Sequence, residues 1–210
     1  MTEPRQTIRH LLEEIDRYLS AFNLAGLKDV RAGLAKGPRG LPQTVQPATF
    51  PVCGQLNTAI ASMADRSLAQ AIAAALPVLK WVSYTPYPRA EIGAAFADGH
   101  AFATLIGEDA FFHADDFDLG LFIIAPNVLY RDHHHAAPEL YAPLTGPHAW
   151  RFLPEEKWQW IDADQPVWNE PWAPHATQTG DVPFLCIFCW TRDVNIPAKV
   201  IAGRGANLGA

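Results

Sequence analysis

The chain of 210 residues is short of cysteine, of net positive charge and of long apolar runs, and each shortage removes a class of protein. Its three cysteines, Cys53, Cys186 and Cys189, are too few and odd in number for a disulfide framework and suit a reducing compartment. With 16 Lys and Arg against 22 Asp and Glu, the net charge of −6 provides no long-range attraction for phosphate backbones or anionic lipid surfaces. Neither a nucleic-acid partner nor a membrane is therefore expected. The longest uncharged run, Gly40 to Ala64, is interrupted by Pro42, Pro47 and Pro51 and carries Gln43, Gln46, Gln55 and Asn57, which excludes a lipid-facing helix. Near the amino terminus, Glu13, Glu14, Asp16 and Arg17 break any apolar stretch of the secretory-signal type. A cytoplasmic protein acting on a small molecule is the expectation, as a monomer or homodimer.

What the chain has in quantity is proline, 18 residues, and aromatic side chains, including seven Trp and eleven Phe. Short elements, frequent turns and an aromatic interior follow. From Thr7 the apolar residues Ile8, Leu11, Leu12, Ile15, Leu19 and Phe22 fall at amphipathic-helix spacing, and a second helix is expected over about Leu27 to Leu34. A proline-rich loop runs from Lys36 to Pro51. The alanine-rich stretch Gln55 to Leu76 then favours a helix that Pro77 stops.

Beyond Trp81 short strand-like runs alternate with Gly, Pro, Asp and Asn. Expected strands are Trp81 to Tyr84, Phe102 to Ile106, Leu119 to Ile124, Glu139 to Leu144, Ala149 to Phe152, Trp158 to Ile161, His175 to Thr177 and Phe184 to Trp190. The organisation read from this is a helical extension over 1–80 packed on a small β-barrel or jelly roll over 81–210. The Cys186-Ile187-Phe188-Cys189 sequence matches a C-x-x-C motif but lies within an apolar strand, where positions three apart face opposite sides, so both cysteines read as buried hydrophobes. Gly203-Arg204-Gly205 lacks the following helix that a nucleotide loop requires and reads as a tail.

Chemistry concentrates around three consecutive histidines. In an extended His133-His134-His135, the first and third imidazoles face one side. Past a turn at Ala137-Pro138, Glu139 and Tyr141 also share a face. Folding the two arms together brings two imidazoles, a carboxylate and a phenol to one inward point, a metal site with a candidate base beside it. Imidazole plus carboxylate suits a divalent ion such as Fe, Mn, Ni or Zn, and the absence of thiolates argues against a structural zinc site.

The spacing H-x-H-x3-E-x6-G, filled by His133, His135, Glu139 and Gly146, resembles the first signature motif of the cupins, small β-barrels that enclose a metal. Cupins draw one further histidine from a later strand, which the resemblance assigns to His175. The positions that carry glycine and asparagine in the usual second motif are Trp172 and Thr179 here. Further segments narrow the likeness: Tyr130-Arg131-Asp132-His133-His134-His135, Pro138-Glu139-Leu140-Tyr141, Gly146-Pro147, Trp150-Arg151-Phe152 and Pro174-His175-Ala176-Thr177-Gln178-Thr179-Gly180. Together they resemble the cupin-type dimethylsulfoniopropionate (DMSP) lyases of marine bacteria, and among these the Q branch, strongly over Phe111 to Ile201.

That resemblance implies a carbon–sulfur lyase that cleaves DMSP to dimethyl sulfide and acrylate by β-elimination, with one divalent metal ion (Zn, Fe or Mn) and no redox cofactor. It implies His135, Glu139 and His175 as ligands, Tyr141 at the metal and acting as the base, and His133 as either a ligand or an adjacent contact. Tyr130 has the opposite strand parity to Tyr141, so a catalytic role for it requires a bend near Arg131. A sulfonium cation suits aromatic faces, and Trp168, Trp172, Phe184, Phe188 and Trp190 are candidate hosts, with Trp168, Trp190 and Phe188 preferred. Two other readings use the same ligand set: a cupin Fe(II) dioxygenase acting on a small thiol or aromatic compound, and a non-catalytic metal-binding cupin.

Overall fold

The computed structural model describes residues 3–37 and 43–201. The expected Gly203-Arg204-Gly205 tail and part of the proline-rich loop, 38–42, lie outside the described residues. Helix α1 (Glu3–Leu19) buries Ile8, Leu11, Leu12, Ile15 and Leu19 along one stripe. Each such side chain contributes about 1.5–3 kcal/mol when removed from water. Helix α2 (Leu27–Lys36) follows Gly26, whose left-handed backbone (φ 71°) carries the chain around the corner between them.

The alanine-rich stretch forms two helices rather than one. A 3-10 turn at Pro51–Gln55 leads into α3 (Leu56–Ser62), and α4 (Arg66–Ala75) begins after a break at Met63. The reason is Asp65: its carboxylate accepts the backbone N–H of Leu68, capping α4, and also binds Arg17 of α1 at 2.8 Å. Two short helices that the sequence reading did not include, α5 (Arg89–Ile92) and α6 (Ala94–Asp98), occupy the region between Trp81 and the first strand. The expected strand at Trp81 to Tyr84 is reduced to a single bridge between Val82 and Phe102.

The strands are β1 (His100–Gly107), β2 (Phe112–His113), β3 (Asp118–Ile124), β4 (Leu129–His134), β5 (Glu139–Pro143), β6 (His148–Phe152), β7 (Gln159–Ile161), β8 (Val167–Asn169), β9 (His175–Gln178), β10 (Phe184–Trp190) and β11 (Lys199–Val200). They form two facing sheets, as the expected jelly roll requires: a six-stranded sheet in the order β2-β1-β3-β10-β5-β8 and a five-stranded sheet in the order β11-β4-β9-β6-β7. Of these, β2, β4, β8 and β11 were not among the strands read from the sequence.

The six-stranded sheet is covered on both faces. On one, Ala101, Ala103, Leu119, Leu121, Leu140, Leu185, Ile187 and Cys189 join the buried stripes of α1, α2, α3 and α4 in a single aliphatic core. On the other, Phe122, Ile124, Tyr141, Phe184 and Cys186 meet Tyr130 and Trp150 of the second sheet in an aromatic core. Burial on both faces explains why β10 reads as an unbroken apolar run. It also sends Cys186 and Cys189 to opposite faces, as strand parity requires; both are free thiols whose pKa burial pushes well up.

Two buried polar contacts tie the second sheet. Asp132 on β4 is ion-paired with Arg151 on β6 across the intervening strand, where Ala176 lies directly opposite Arg151. At the other end His148 receives the N–H of Gly180 on Nδ1 at 3.1 Å, while its Nε2 meets Thr145 Oγ1 at 3.3 Å. The Thr145 hydroxyl donates to the Pro183 carbonyl, so it accepts from His148 and the imidazole is neutral. Burial pushes the pKa of His148 down to about 4.

Two outcomes follow. Asp132→Ala should lose about 3–5 kcal/mol in urea unfolding because it strands the Arg151 cation, whereas an Asp132→Leu/Arg151→Met double variant should lose much less. A histidine held below its unfolded pKa of about 6.5 stabilises the fold above that pH and loses its contribution as the pH falls toward 4, by roughly 3 kcal/mol. His148→Gln should therefore unfold with a shallower acid dependence than the parent, measured by urea midpoints between pH 4 and 7.

Candidate active site

The sequence places His133 at the end of β4 and Glu139 at the start of β5, with Ala136-Ala137-Pro138 between them. These strands belong to different sheets, so the connection does not form a hairpin: it carries the chain from one sheet to the facing one. His133 and His135 therefore enter the interior from one side, and Glu139 and Tyr141 from the other. His175, at the start of β9, is the direct cross-strand neighbour of His133, with ring centroids 4.2 Å apart. The metal-ligating atoms of His133, His135 and His175 all lie within 4.8 Å of one another, and all three residues are buried. His134 points the other way, beside Trp172.

Each of the three imidazoles is oriented by its own chain. Nδ1 of His133 faces the Arg131 carbonyl at 2.8 Å, that of His135 the Ala137 carbonyl at 2.8 Å, and that of His175 the Ala173 carbonyl at 2.9 Å. A carbonyl only accepts, so Nδ1 carries the proton in each; Nε2 of His133 and of His175 then presents a lone pair to the interior, while Nε2 of His135 lies against the Glu139 carboxylate. The Nε2 atoms of His133 and His175 are buried without a hydrogen-bond partner. Buried acceptors converging on one point without donors are the arrangement a divalent cation satisfies. The donor set thus fits the ion expected from the sequence.

Glu139 is nearly sealed from solvent and fully engaged. Its Oε2 lies 3.0 Å from His135 Nε2 and 3.4 Å from His175 Nε2 and accepts from Asn169 Nδ2 at 3.2 Å, while Oε1 accepts the Trp190 indole N–H at 2.6 Å. Burial pushes its pKa up, but the His135 imidazole hydrogen-bonded to it, and after it His175, outweigh this and hold it well below the usual carboxylate range. Asn169 carried no signal in the sequence reading. It reaches Glu139 because β8 pairs with β5 in the register Glu139–Asn169.

Beside this cluster lies a cavity of about 270 Å³ whose walls include Tyr87, Phe122, Tyr130, Tyr141, Phe188 and Trp190. Tyr141 is buried within it, and its phenol is pushed well above its ordinary pKa by burial and then by the Glu139 charge. Tyr130 reaches the same interior because β4 carries a one-residue bulge: Tyr130 pairs with Thr177 and His133 with His175, three positions on one strand against two on the other. The bend near Arg131 that its parity required is therefore present. Tyr130 stacks on His133 at 3.9 Å on one face and on Phe96 at 4.0 Å on the other, and Phe96 stacks in turn on His100 at 4.1 Å. The Tyr130 hydroxyl shares a hydrogen bond with that of Tyr87 at 2.9 Å.

The aromatic candidates divide by strand parity. Phe188 and Trp190 line the cavity, whereas Phe184 packs deeper in the aromatic core. Trp168 does not face the cavity. It is paired with Leu140, on the helix side of the sheet, packs over Gly26 and donates its indole N–H to Glu170. Trp172 is about half exposed. Tyr84, Tyr87 and Phe96 come from the segment before β1 and were missed, since that segment carried no catalytic motif.

Residues 33–186 match the family model for dimethylsulfoniopropionate lyases. The chain belongs to this lyase family. A curated relative, dimethylsulfoniopropionate lyase DddQ of Ruegeria pomeroyi, is 28% identical over 198 residues, covering 92% of this chain and 94% of the relative. The DddQ name agrees with the Q branch that the motifs indicate. The crystal structure of DddQ from Ruegeria pomeroyi DSS-3 matches with a TM-score of 0.77 at 24% identity, covering 98% of this lyase and all of that chain. A second, from crystal structures of the DMSP lyases RdDddP and RnDddQII, matches with a TM-score of 0.73 at 23% identity, covering 95% and 100%. Both share the fold of the helical part and the two sheets together. Among the described residues of the lyase, no helix is long and apolar enough to cross a membrane.

Because Asn169 donates to the buried Glu139 carboxylate, Asn169→Ala should weaken Zn(II) or Mn(II) affinity about 10–100-fold in chelator competition and should also lower the melting temperature of the metal-free protein.

Proposed function

We propose that this lyase cleaves DMSP to dimethyl sulfide and acrylate by β-elimination, with Tyr141 as the base, in a site that His135, Glu139, His175 and His133 equip for one divalent ion of Zn, Fe or Mn. The observation that carries the reading is the convergence of bare, buried histidine Nε2 atoms beside Glu139 on the wall of an aromatic cavity that also holds Tyr141. When bound, such an ion supplies positive charge that stabilises the enolate-like charge developing as the α-proton leaves.

The rest is chemistry of the chain itself. Tyr141 oxygen takes the α-proton, the electrons of that C–H bond become the α,β double bond, and the bond from the β-carbon to sulfur breaks. Sulfur leaves with that electron pair as neutral dimethyl sulfide, and acrylate remains. No electron acceptor is needed. Burial and Glu139 alone make Tyr141 a poor phenolate former, and a divalent ion held by the neighbouring histidines would lower its pKa toward a working range. Tyr130, held by His133, Phe96 and Tyr87, is the second phenol at the substrate and fixes its orientation. Phe188 and Trp190 offer their faces to the sulfonium end, and the apolar walls keep bulk water from the reacting carbons. The three free cysteines, two of them buried, suit a cytoplasmic setting.

Purified protein incubated anaerobically with DMSP should release dimethyl sulfide to the headspace and acrylate by NMR in equal amounts, should lose this activity on chelation and should recover it when a divalent metal is restored. Product formation only in the presence of O2 would replace the lyase with an oxygenase. Tyr141→Phe should lower turnover by at least about 100-fold while metal is retained, whereas His135→Ala and Glu139→Ala should lose both. A Tyr141→Phe enzyme with a near-parental rate would remove the base assignment.

A further inference from the structure

A second carboxylate stands at the cavity, and the mechanism above does not use it. Asp118, the first residue of β3, lines the same cavity as Phe188, Trp190 and Tyr141. The sheet register explains why: Asp118 pairs with Trp190, and Trp190 pairs on its other side with Glu139. Asp118 and Glu139 therefore flank one indole on the same face of the sheet, two strand spacings or about 10 Å apart along the backbone.

The two carboxylates differ in their company. Glu139 has four polar partners, whereas among the described residues Asp118 has neither a hydrogen bond nor an ion pair to its side chain. Its charged neighbours, Glu108 and Asp116, are both acidic, and burial followed by these charges pushes its pKa up to about 6. Space has been cleared for it. A Cβ on Gly107 would collide with Asp118 Oδ1, and one on Gly120 would come within 2.8 Å of the Phe188 ring. Glycine at these positions lets the carboxylate lie over β1 and the Phe188 ring lie over β3. Phe102 meets Phe188 edge-on at 6.0 Å and completes that wall. A part-buried carboxylate without a cation, set beside aromatic faces in a cavity, is the complement of a permanent organic cation, which cannot donate a hydrogen bond and is held by charge and π-faces alone.

We propose that Asp118 is the specificity-determining residue for the cationic end of the substrate, forming with Phe188 and Trp190 the seat of the sulfonium while the substrate carboxylate lies toward the histidines. This rests on the reading of the cavity as a DMSP site. The two ends of the cavity then carry opposite demands: one takes an anion, the other a cation, and the two methylenes between them bring the α-carbon to Tyr141. An uncharged acid of the same shape satisfies only the first.

The test uses the full, metal-loaded chain and two probes, 3-(trimethylammonio)propionate as a cationic analogue and 4-methylpentanoate as a neutral one, each measured by calorimetry and as an inhibitor of DMSP cleavage. The parent enzyme should bind the cationic analogue at least about 10-fold more tightly than the neutral one. Asp118→Asn should raise the KM for DMSP and weaken the cationic analogue by about 10-fold, with the loss falling on KM rather than kcat, and should leave the neutral analogue within about 2-fold. Asp118→Glu should keep part of the preference. Because Asp118 is part-buried among like charges, Asp118→Asn should melt no lower than the parent at pH 7, so misfolding cannot mimic the result. An Asp118→Asn enzyme with parental KM and parental preference for the cationic analogue overturns the proposal, as does a parent that binds both analogues alike. A parent that fails to cleave DMSP but shows the Asp118-dependent preference would sink the proposed reaction and leave the cation seat standing.

Discussion

One buried carboxylate organises the interior of this protein. Glu139 is removed from water at the seam between two sheets, a position that is costly for a charge unless donors surround it. The groups around it come from elements far apart in the chain: His135 beyond β4, Asn169 from β8, His175 from β9 and Trp190 from β10. Satisfying that single charge therefore requires both sheets to be assembled in the correct register. The same requirement aims the histidine Nε2 atoms at one point, with the backbone carbonyls behind them preventing rotation.

The six-stranded sheet divides the molecule's work between its faces. One face is aliphatic and packs on α1 to α4; the other is aromatic and carries the chemistry. Strand β10 shows the division residue by residue, since Leu185, Ile187 and Cys189 turn to the helices while Phe184, Cys186, Phe188 and Trp190 turn inward. The helical segment is in this sense part of the site: it covers the outer face of a sheet whose inner face is given to polar and aromatic groups. Packing of this kind keeps the interior groups from relaxing away from their working positions.

A second structural device is the bulge in β4. It places Tyr130 on the same side as His133, and the stack His133–Tyr130–Phe96–His100 then runs from the buried histidine cluster through the short helix α6 to the first residue of β1. The cavity wall on that side depends on a segment of irregular turns and one-turn helices, held by contacts such as the Ala198 N–H on the Tyr84 hydroxyl and the Tyr84 N–H on His100 Nε2. Aromatic rings suit this duty because each contributes a large apolar area with few rotatable bonds.

Much of this was legible in the linear chain, because the physical signals there are local. Apolar spacing gives α1 and α2, short strand-like runs between turn residues give most of the strands, and the parity of His133 and His135 against His134 survives intact in the fold. Spacing also marks Glu139 and Tyr141 as partners on one face. What local signals could not carry is which strands lie beside which. The break at Asp65 depends on a cap and on Arg17 from another helix, and the strands β8 and β11 are too short to declare themselves. Whether an aromatic faces the cavity or the helices is decided by register. Trp168 and Trp190 are alike in sequence context, yet the first pairs with Leu140 and turns outward, and the second pairs with Glu139 and turns in. The sequence by itself determined the chemical inventory of the site, its spacing and its family; only the tertiary structure decided the register that seals Glu139, bends Tyr130 inward and sets Asp118 across one indole from it, because those relations arise from pairing between distant strands.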